Sequence, residues 1–428
     1  MLTNPSFVNS VKAPVKRALT HRRTQSIPQK VIHTFSSKNH SNKTQLPIHA
    51  RLGIFFPSKI NALYTIQAFR FSSNLLNIKI HQKPIEIKST VIWPELFEIG
   101  DSRKINKHTE ELKKDETILN WAMEMELLTK DDINSFKKHN LEELAGYFHP
   151  HCDKEGLILS SKLNVILYSC DNELDNGADK ISKDYEAMTK RAKNIKAILK
   201  KTPDFVCESP LEKAICSFLK DVEVLEGDKS FFIASMMRYI NSTIESLERR
   251  LGYTTPYNEE GTPLLRNDVS AVDTVTELGF LLHDTVISEE QRNNTVFRKL
   301  MILTNRIVSR INDISSYSRE REENNPDNPI IAKEKVLYEI DSNRENAIKV
   351  AVDSARIELN NLLGEFSNLA SKYGKTKSLN IDFEPKEFYK IASLLRDCIV
   401  GGWYWHKDML EDGKRYTKSN DFMGKMWE

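Results

Sequence analysis

The stretch Leu300–Glu320, LMILTNRIVSRINDISSYSRE, decides the reading of the fold. Leu300, Ile302, Leu303, Ile307 and Ile311 recur at the spacing of a helix with one buried face. That helix continues through Asn312, Ser316 and Glu320, at i, i+4 and i+8. An amide, a hydroxyl and a carboxylate therefore stand in a row over about two turns. Asn and Ser are indifferent helix formers, and in mid-helix they often simply face solvent. Aligned inside an apolar-patterned helix, however, they suit a divalent cation. Magnesium takes an oxygen octahedron that a substrate phosphate completes, and this stripe offers three oxygens on one side. Arg319, next to Glu320, is placed to meet the phosphate.

The same helical period returns on both sides of this stretch. It runs through Ile118-Trp121-Met125, Leu163-Ile166-Leu167, Phe231-Ile233-Met236-Met237-Ile240, Val272-Val275-Leu278-Phe280-Leu281 and Ile357-Leu359-Leu362-Leu363-Phe366. Alternating strand patterns are nearly absent. Glycine, at 15 residues, is too scarce for a nucleotide-loop architecture, and neither GxGxxG nor GxxxxGK occurs. Breaks fall at Asp175–Ala178, Gly252–Pro263, Asn324–Pro329 and Lys372–Pro385, where helix connections belong. The expected fold is a single all-α domain over residues 81–428. A second acidic group, Asp171-Asn-Glu-Leu-Asp175, ends the Leu163–Cys170 helix. Asp171 and Asp175 are four apart and can share one face, although acidic helix ends before a turn are common.

Composition divides the chain. The total of 62 Lys+Arg against 60 Asp+Glu looks balanced, but the first acidic residue is Glu86, and the residues before it carry eight lysines and five arginines. From Glu86 onward acids exceed bases by 11. Residues 1–80 form a basic, hydroxyl-rich, acid-free leader, the composition of a transit peptide for mitochondrion or plastid. A disordered arm on a cytoplasmic protein is the alternative. No apolar run approaches the ~18 residues of a membrane span, so no stable membrane insertion is expected. The acidic body argues against nucleic acid as partner. Five cysteines without a CxxC pair argue against a disulfide framework and a zinc ribbon. His149-Pro-His151-Cys152 lacks a second ligand pair at zinc spacing.

Together these motifs resemble the class I terpene synthases of the single-domain microbial type, seen in bacteria, social amoebae and soft corals. That family has an aspartate-rich DDxxD-type motif at the end of one helix, and (N/D)Dxx(S/T)xx(K/R)(D/E) well downstream. Asn312–Glu320 matches the second at every specified position, and Asp171–Asp175 stands where the first belongs. The resemblance covers roughly Lys83 to the C-terminus, and it implies a helical bundle around a central active-site cavity. It implies a pyrophosphate-sensing arginine about 46 residues before the second motif, which is Arg266, with Val269 and Ser270 at the linker and effector positions. It also implies an Arg–Tyr pair near the C-terminus, matched by Arg415–Tyr416 after the aromatic Gly402–Trp405.

The implied activity is a lyase reaction: Mg²⁺-dependent ionisation of an acyclic prenyl diphosphate, farnesyl or geranylgeranyl, and cyclisation to a sesquiterpene or diterpene. Three Mg²⁺ ions are implied, with Mn²⁺ as a substitute. Asp171 and Asp175 would hold two, and Asn312, Ser316 and Glu320 the third. Arg266, Arg319, Arg415 and Tyr416 would bind the pyrophosphate. Asn172, Val269, Ser270, Phe280, Trp403 and Trp405 would line the substrate pocket, although each aromatic is also a natural core residue. The protein would act as a monomer or homodimer. Asn172 departs from the family's second aspartate, and Val269 from its usual linker of Asp or Thr. A chain-elongating prenyltransferase would carry two DDxxD-type motifs, whereas the second site here reads NDxxSxxRE. A non-catalytic helical protein with a basic arm for nucleic acid or lipid is the remaining alternative.

Overall fold

The computed structural model describes residues 91–97, 104–175, 185–201, 206–250, 262–322, 327–375 and 383–411. The chain divides after Ile85 into two units. The leader lies outside the described residues, and the helices belong to the unit Glu86–Glu428.

Among the described residues there are helices and no strand. In order they are α1 (Thr109–Lys114), α2 (Thr117–Glu124), α3 (Ile133–His139), α4 (Leu141–Phe148), α5 (Lys154–Cys170), α6 (Tyr185–Leu199), α7 (Pro210–Glu223) and α8 (Ser230–Arg250). The chain then forms α9 (Thr262–Val269), α10 (Val272–Leu282), α11 (Glu289–Asn293), α12 (Thr295–Glu322), α13 (Pro329–Asp341), α14 (Arg344–Lys375) and α15 (Pro385–Glu411). No helix of the described residues is long and apolar enough to cross a membrane.

Helix starts obey local chemistry. Asp153 accepts the Gly156 N–H at 2.8 Å to open α5. Ser209 and Glu212 close a capping box around Pro210 at the start of α7. Asn328 accepts the Ile330 N–H at 2.9 Å ahead of Pro329 in α13. The decisive stretch lies inside α12, which packs along α14 and α15 and also meets α9, α10, α11 and α13. Its apolar line is buried at Leu300, Leu303, Ile307, Ile311 and Ile314, all at 0% exposure, whereas Ile302 falls off that face and is 50% exposed.

Helix α15 lies against α4 because Gly401 has no side chain. A Cβ there would stand 2.4 Å from the carbonyl oxygen of Tyr147 and 2.6 Å from its carbon. Gly279 likewise leaves room for the His149 ring, whose Cε1 would be 2.7 Å from a Cβ. Burial, reinforced by the charge of His283, pushes the His149 imidazole down to about 3, so it is neutral in the fold.

Cys207 and Cys216 form one disulfide at the start of α7, a local bridge and not the framework that the cysteine count argues against. An odd cysteine count excludes a fully paired framework but not one local bridge. Cys152, Cys170 and Cys398 are free and buried. Burial raises all three thiols, Cys152 and Cys398 to about 12, which leaves them protonated and unreactive.

Gly401→Ala is expected to lower the unfolding free energy by roughly 1–3 kcal/mol in a denaturant titration, because backbone cannot yield as a flexible side chain would. The neutral His149 predicts a second effect. Its folded value lies below the unfolded 6.5, so the unfolded chain takes up a proton that the fold refuses. Stability should therefore fall as pH drops through 6.5, by roughly 2 kcal/mol down to pH 5. His149→Gln should flatten that slope in unfolding curves across this range.

Candidate active site

Several helices turn one stripe each toward a cavity of about 210 Å³. One water needs only ~10–15 Å³ on such a measure, so the cavity is of ligand size. Leu141, Leu144 and Phe148 of α4 face it at i, i+3 and i+7. Asn164, Leu167 and Tyr168 of α5 do the same, and Asp171 completes that stripe at i+7. Val272 and Val275 come from α10, Val308 and Asn312 from α12, and Cys398, Trp405 and His406 from α15. Asp171–Asp175 forms a π-helical turn, a feature frequent at functional sites.

The polar groups gather around α12. Asp313 is 1% exposed, and its two oxygens accept from Arg266 Nε at 2.7 Å and Arg310 Nη1 at 3.2 Å. Burial pushes its carboxyl up, against the pull of both guanidiniums. Arg266 Nη2 also donates to Asn312 Oδ1 at 2.8 Å. On the other side of that amide, Asn312 Nδ2 lies 3.1 Å from His406 Nε2. His406 Nδ1 is 2.6 Å from the Gly402 carbonyl, which only accepts, so Nδ1 carries the proton and Nε2 accepts from Asn312. Glu320 accepts from Asn328 Nδ2 at 2.9 Å and from Arg319 Nη2 at 3.4 Å. Asn328 Nδ2 also reaches the Asp313 carbonyl at 2.9 Å.

The donor set can be tested against a magnesium ion. Asp171, Asn312 and Glu320 offer carboxylate and amide oxygens on the cavity wall, the hard ligands that Mg²⁺ prefers. Arg266 holds the Asn312 oxygen and would have to release it. Ser316 is fully buried, does not line the cavity, and donates its hydroxyl to the Asn312 carbonyl at 2.8 Å. The side chain of Asp175 and both Arg415 and Tyr416 lie outside the described residues. Among the described residues no three His, Cys, Asp or Glu side chains gather as a metal cluster, and Asp171 and Glu320 stand on different elements. The cavity-facing oxygens fit magnesium by type.

The remaining assignments divide. Arg266, Arg319, Val269, Ser270 and Trp405 line the cavity. Ser270 Oγ donates to the Asn267 carbonyl at 2.6 Å. Phe280 and Trp403 do not line it, which corrects their pocket assignment. Phe280 is 1% exposed and packs 6.2 Å from the Phe297 ring, and Trp403 packs edge-on to Trp93 at 4.8 Å. Asn172 is half-buried and also off the cavity wall. Aromatic faces come instead from Phe148, Tyr168 and Tyr239, alongside Trp405. The sequence pattern does not single out Asp313, Asn328 or His406. Asp313 belongs to the motif without a task of its own there. Asn328 before Pro329 carries only a turn signal, and His406 directly follows the aromatic run.

The sequence of residues 162–353 matches the family model described as terpene synthase family 2, C-terminal metal binding. That span contains both Asp171 and the Asn312–Glu320 stripe. Over residues 162–353 the chain is therefore similar to the terpene synthases, and its all-α fold agrees with that likeness. Solved structures share the fold at low identity. A germacradien-4-ol synthase from Streptomyces citricolor aligns with TM-score 0.60 at 17% identity, covering 73% of this chain and 98% of its own. A linalool/nerolidol synthase from Streptomyces clavuligerus aligns with TM-score 0.60 at 13% identity, over 72% and 98%. An α-eudesmol synthase gives 0.61 at 16%, over 72% and 97%. No curated protein matches the sequence.

Within this site Asp313 is the group whose loss should cost most. Asp313→Asn leaves Arg266 and Arg310 facing a neutral amide. It is expected to destabilise the fold by about 3 kcal/mol in urea titrations.

Proposed function

We propose that this chain is a terpene synthase that ionises an acyclic prenyl diphosphate, farnesyl or geranylgeranyl, in a Mg²⁺-dependent reaction. The resulting cation cyclises to a sesquiterpene or diterpene as pyrophosphate leaves. One observation carries the reading: a single cavity combines an apolar and aromatic wall with carboxylates, an amide and two arginines. A hydrocarbon chain joined to a diphosphate is the ligand that needs both kinds of surface.

Bound Mg²⁺ supplies Lewis-acid stabilisation of the charge that develops on the leaving group. Asp171 with Asp175, and Asn312 with Glu320, would hold a set of three ions. Ser316 would join the third only by giving up its bond to the helix carbonyl. Arg266 and Arg319 bring guanidinium forks that suit phosphate oxygens, and the same role is proposed for Arg415 and Tyr416. Leu141, Leu144, Val275 and Val308 exclude water, which keeps a carbocation from being quenched and strengthens each electrostatic contact. Phe148, Tyr239 and Trp405 present ring faces that attract passing positive charge. The NDxxSxxRE form of the second site favours cyclisation over chain elongation.

The test is to incubate the full chain with C10, C15 and C20 prenyl diphosphates and Mg²⁺ and to examine the extract by gas chromatography–mass spectrometry. A cyclic terpene from the C15 or C20 substrate is expected, and no volatile product from any of the three would sink the reading. Asn312→Ala combined with Glu320→Ala should lower turnover roughly a hundredfold or more. Intact turnover in that variant would show the metal assignment to be wrong.

A further inference from the structure

Cyclisation to a hydrocarbon ends when a carbocation loses a proton from a neighbouring carbon, so some group must take it. Resting on the synthase reading above, we propose that Tyr168 is this acceptor and that His139 takes the hydroxyl proton in the same step.

Tyr168 lines the cavity on the α5 stripe, one turn before Asp171. Its hydroxyl is 2.7 Å from His139 Nε2, with the two rings 4.5 Å apart. His139 Nδ1 is 2.7 Å from the carbonyl of Ser135. A carbonyl only accepts, so Nδ1 carries the ring proton. In the neutral imidazole Nε2 is then the basic nitrogen and Tyr168 is the donor. This fixes the direction of the relay. His139 does not line the cavity, so it meets the substrate only through Tyr168.

The step balances. The C–H electron pair of the cation becomes the π bond of the product. That proton forms a new O–H bond at Tyr168 as the old hydroxyl proton passes to His139 Nε2. Tyrosine is neutral before and after, and the positive charge moves from the substrate to the imidazole. A lone phenol would become an oxonium ion, and the imidazole removes that barrier. The charge arrives at a favourable place. His139 closes α3, where the helix dipole favours a cation, and Nδ1–H already bonds a carbonyl of the last turn. Lys137 and Lys138 in the same turn oppose it, but His139 is only half-buried, so water screens them and can carry the proton away. Cys398, also on the wall, is no rival acceptor because burial keeps its thiol protonated.

The experiment uses the full chain with the prenyl diphosphate it turns over. Each product is expressed per pyrophosphate released, so a slower variant does not obscure the partition. Tyr168→Phe removes only the oxygen. His139→Gln keeps an acceptor for the tyrosine hydroxyl but no basic nitrogen. Both are expected to cut the share of the main hydrocarbon by roughly tenfold or more, in favour of alcohols or olefins from earlier cations, and the double variant should match the singles. Unchanged shares in either single variant, or slower release with unchanged shares, overturn the proposal and leave another base such as the pyrophosphate. An unaltered enzyme that makes only alcohols overturns it as well. If the unaltered chain releases no pyrophosphate, the synthase reading itself fails, and this proposal with it.

Discussion

Asp313 is the constraint on which the polar half of the site depends. A carboxylate at 1% exposure would be neutral or badly destabilising unless cations met it, and Arg266 and Arg310 do. The three groups fix each other. Arg266 comes from α9, so its pairing with Asp313 docks α9 on α12 beside the cavity. Arg310 continues outward to Glu358 at 2.7 Å, and Arg306 reaches the same carboxylate at 3.0 Å, which ties α12 to α14. Burial tends to raise Glu358, but the two arginines outweigh it and its carboxyl titrates below the usual range. Asp313 lies in the drier position, and there burial wins.

The apolar half arises from helix geometry. Stripes at i, i+3 or i+4, and i+7 on α4 and α5 face the same space. Where the stripe of α5 reaches Asp171, the helix passes into a π turn, and the wall changes from hydrocarbon to carboxylate within one turn. On α12 the corresponding change falls between Val308 and Asn312. The boundary between oily and polar wall is therefore written on two separate helices, the arrangement an amphiphilic ligand requires. Gly401 sets the third wall by letting α15 approach α4, which brings Trp405 and His406 to the cavity.

Much of this is legible in the sequence because it is local. The helix from Leu300, its polar stripe and the end of α5 all rest on periods of three and four residues that a chain declares without its partners. Arg266 is legible by spacing from a motif. Phe280 and Trp403 are misplaced because periodicity says that a residue faces inward but not which interior it faces, core or cavity. Ser316 shows a finer failure. Its register on the stripe is right, yet its hydroxyl turns back to the carbonyl four residues earlier, as short hydroxyl side chains often do in helices. The contacts of Asn328 with Glu320 and of Tyr168 with His139 join residues on different elements, and no local pattern announces them.

Asn312 illustrates why a neutral side chain stands beside a charged one at the centre of the site. Its amide is held on both sides, with nitrogen toward His406 and oxygen toward Arg266, so the oxygen keeps one direction. Arg266 also holds Asp313, and the two grips differ in kind. The hydrogen bond from a guanidinium to a neutral amide contributes about 1.5–3 kcal/mol, whereas removing one partner of a buried ion pair costs ~3–5 kcal/mol. Arg266 is thus anchored by Asp313 and only lightly engaged with Asn312. Under the proposed function, a cation would take the amide oxygen while the arginine keeps its anchor and turns the released N–H toward a phosphate oxygen. An aspartate at position 312 would add a second negative charge beside Asp313 and hold Arg266 more firmly. With asparagine there, Arg266 can exchange one partner without leaving its place.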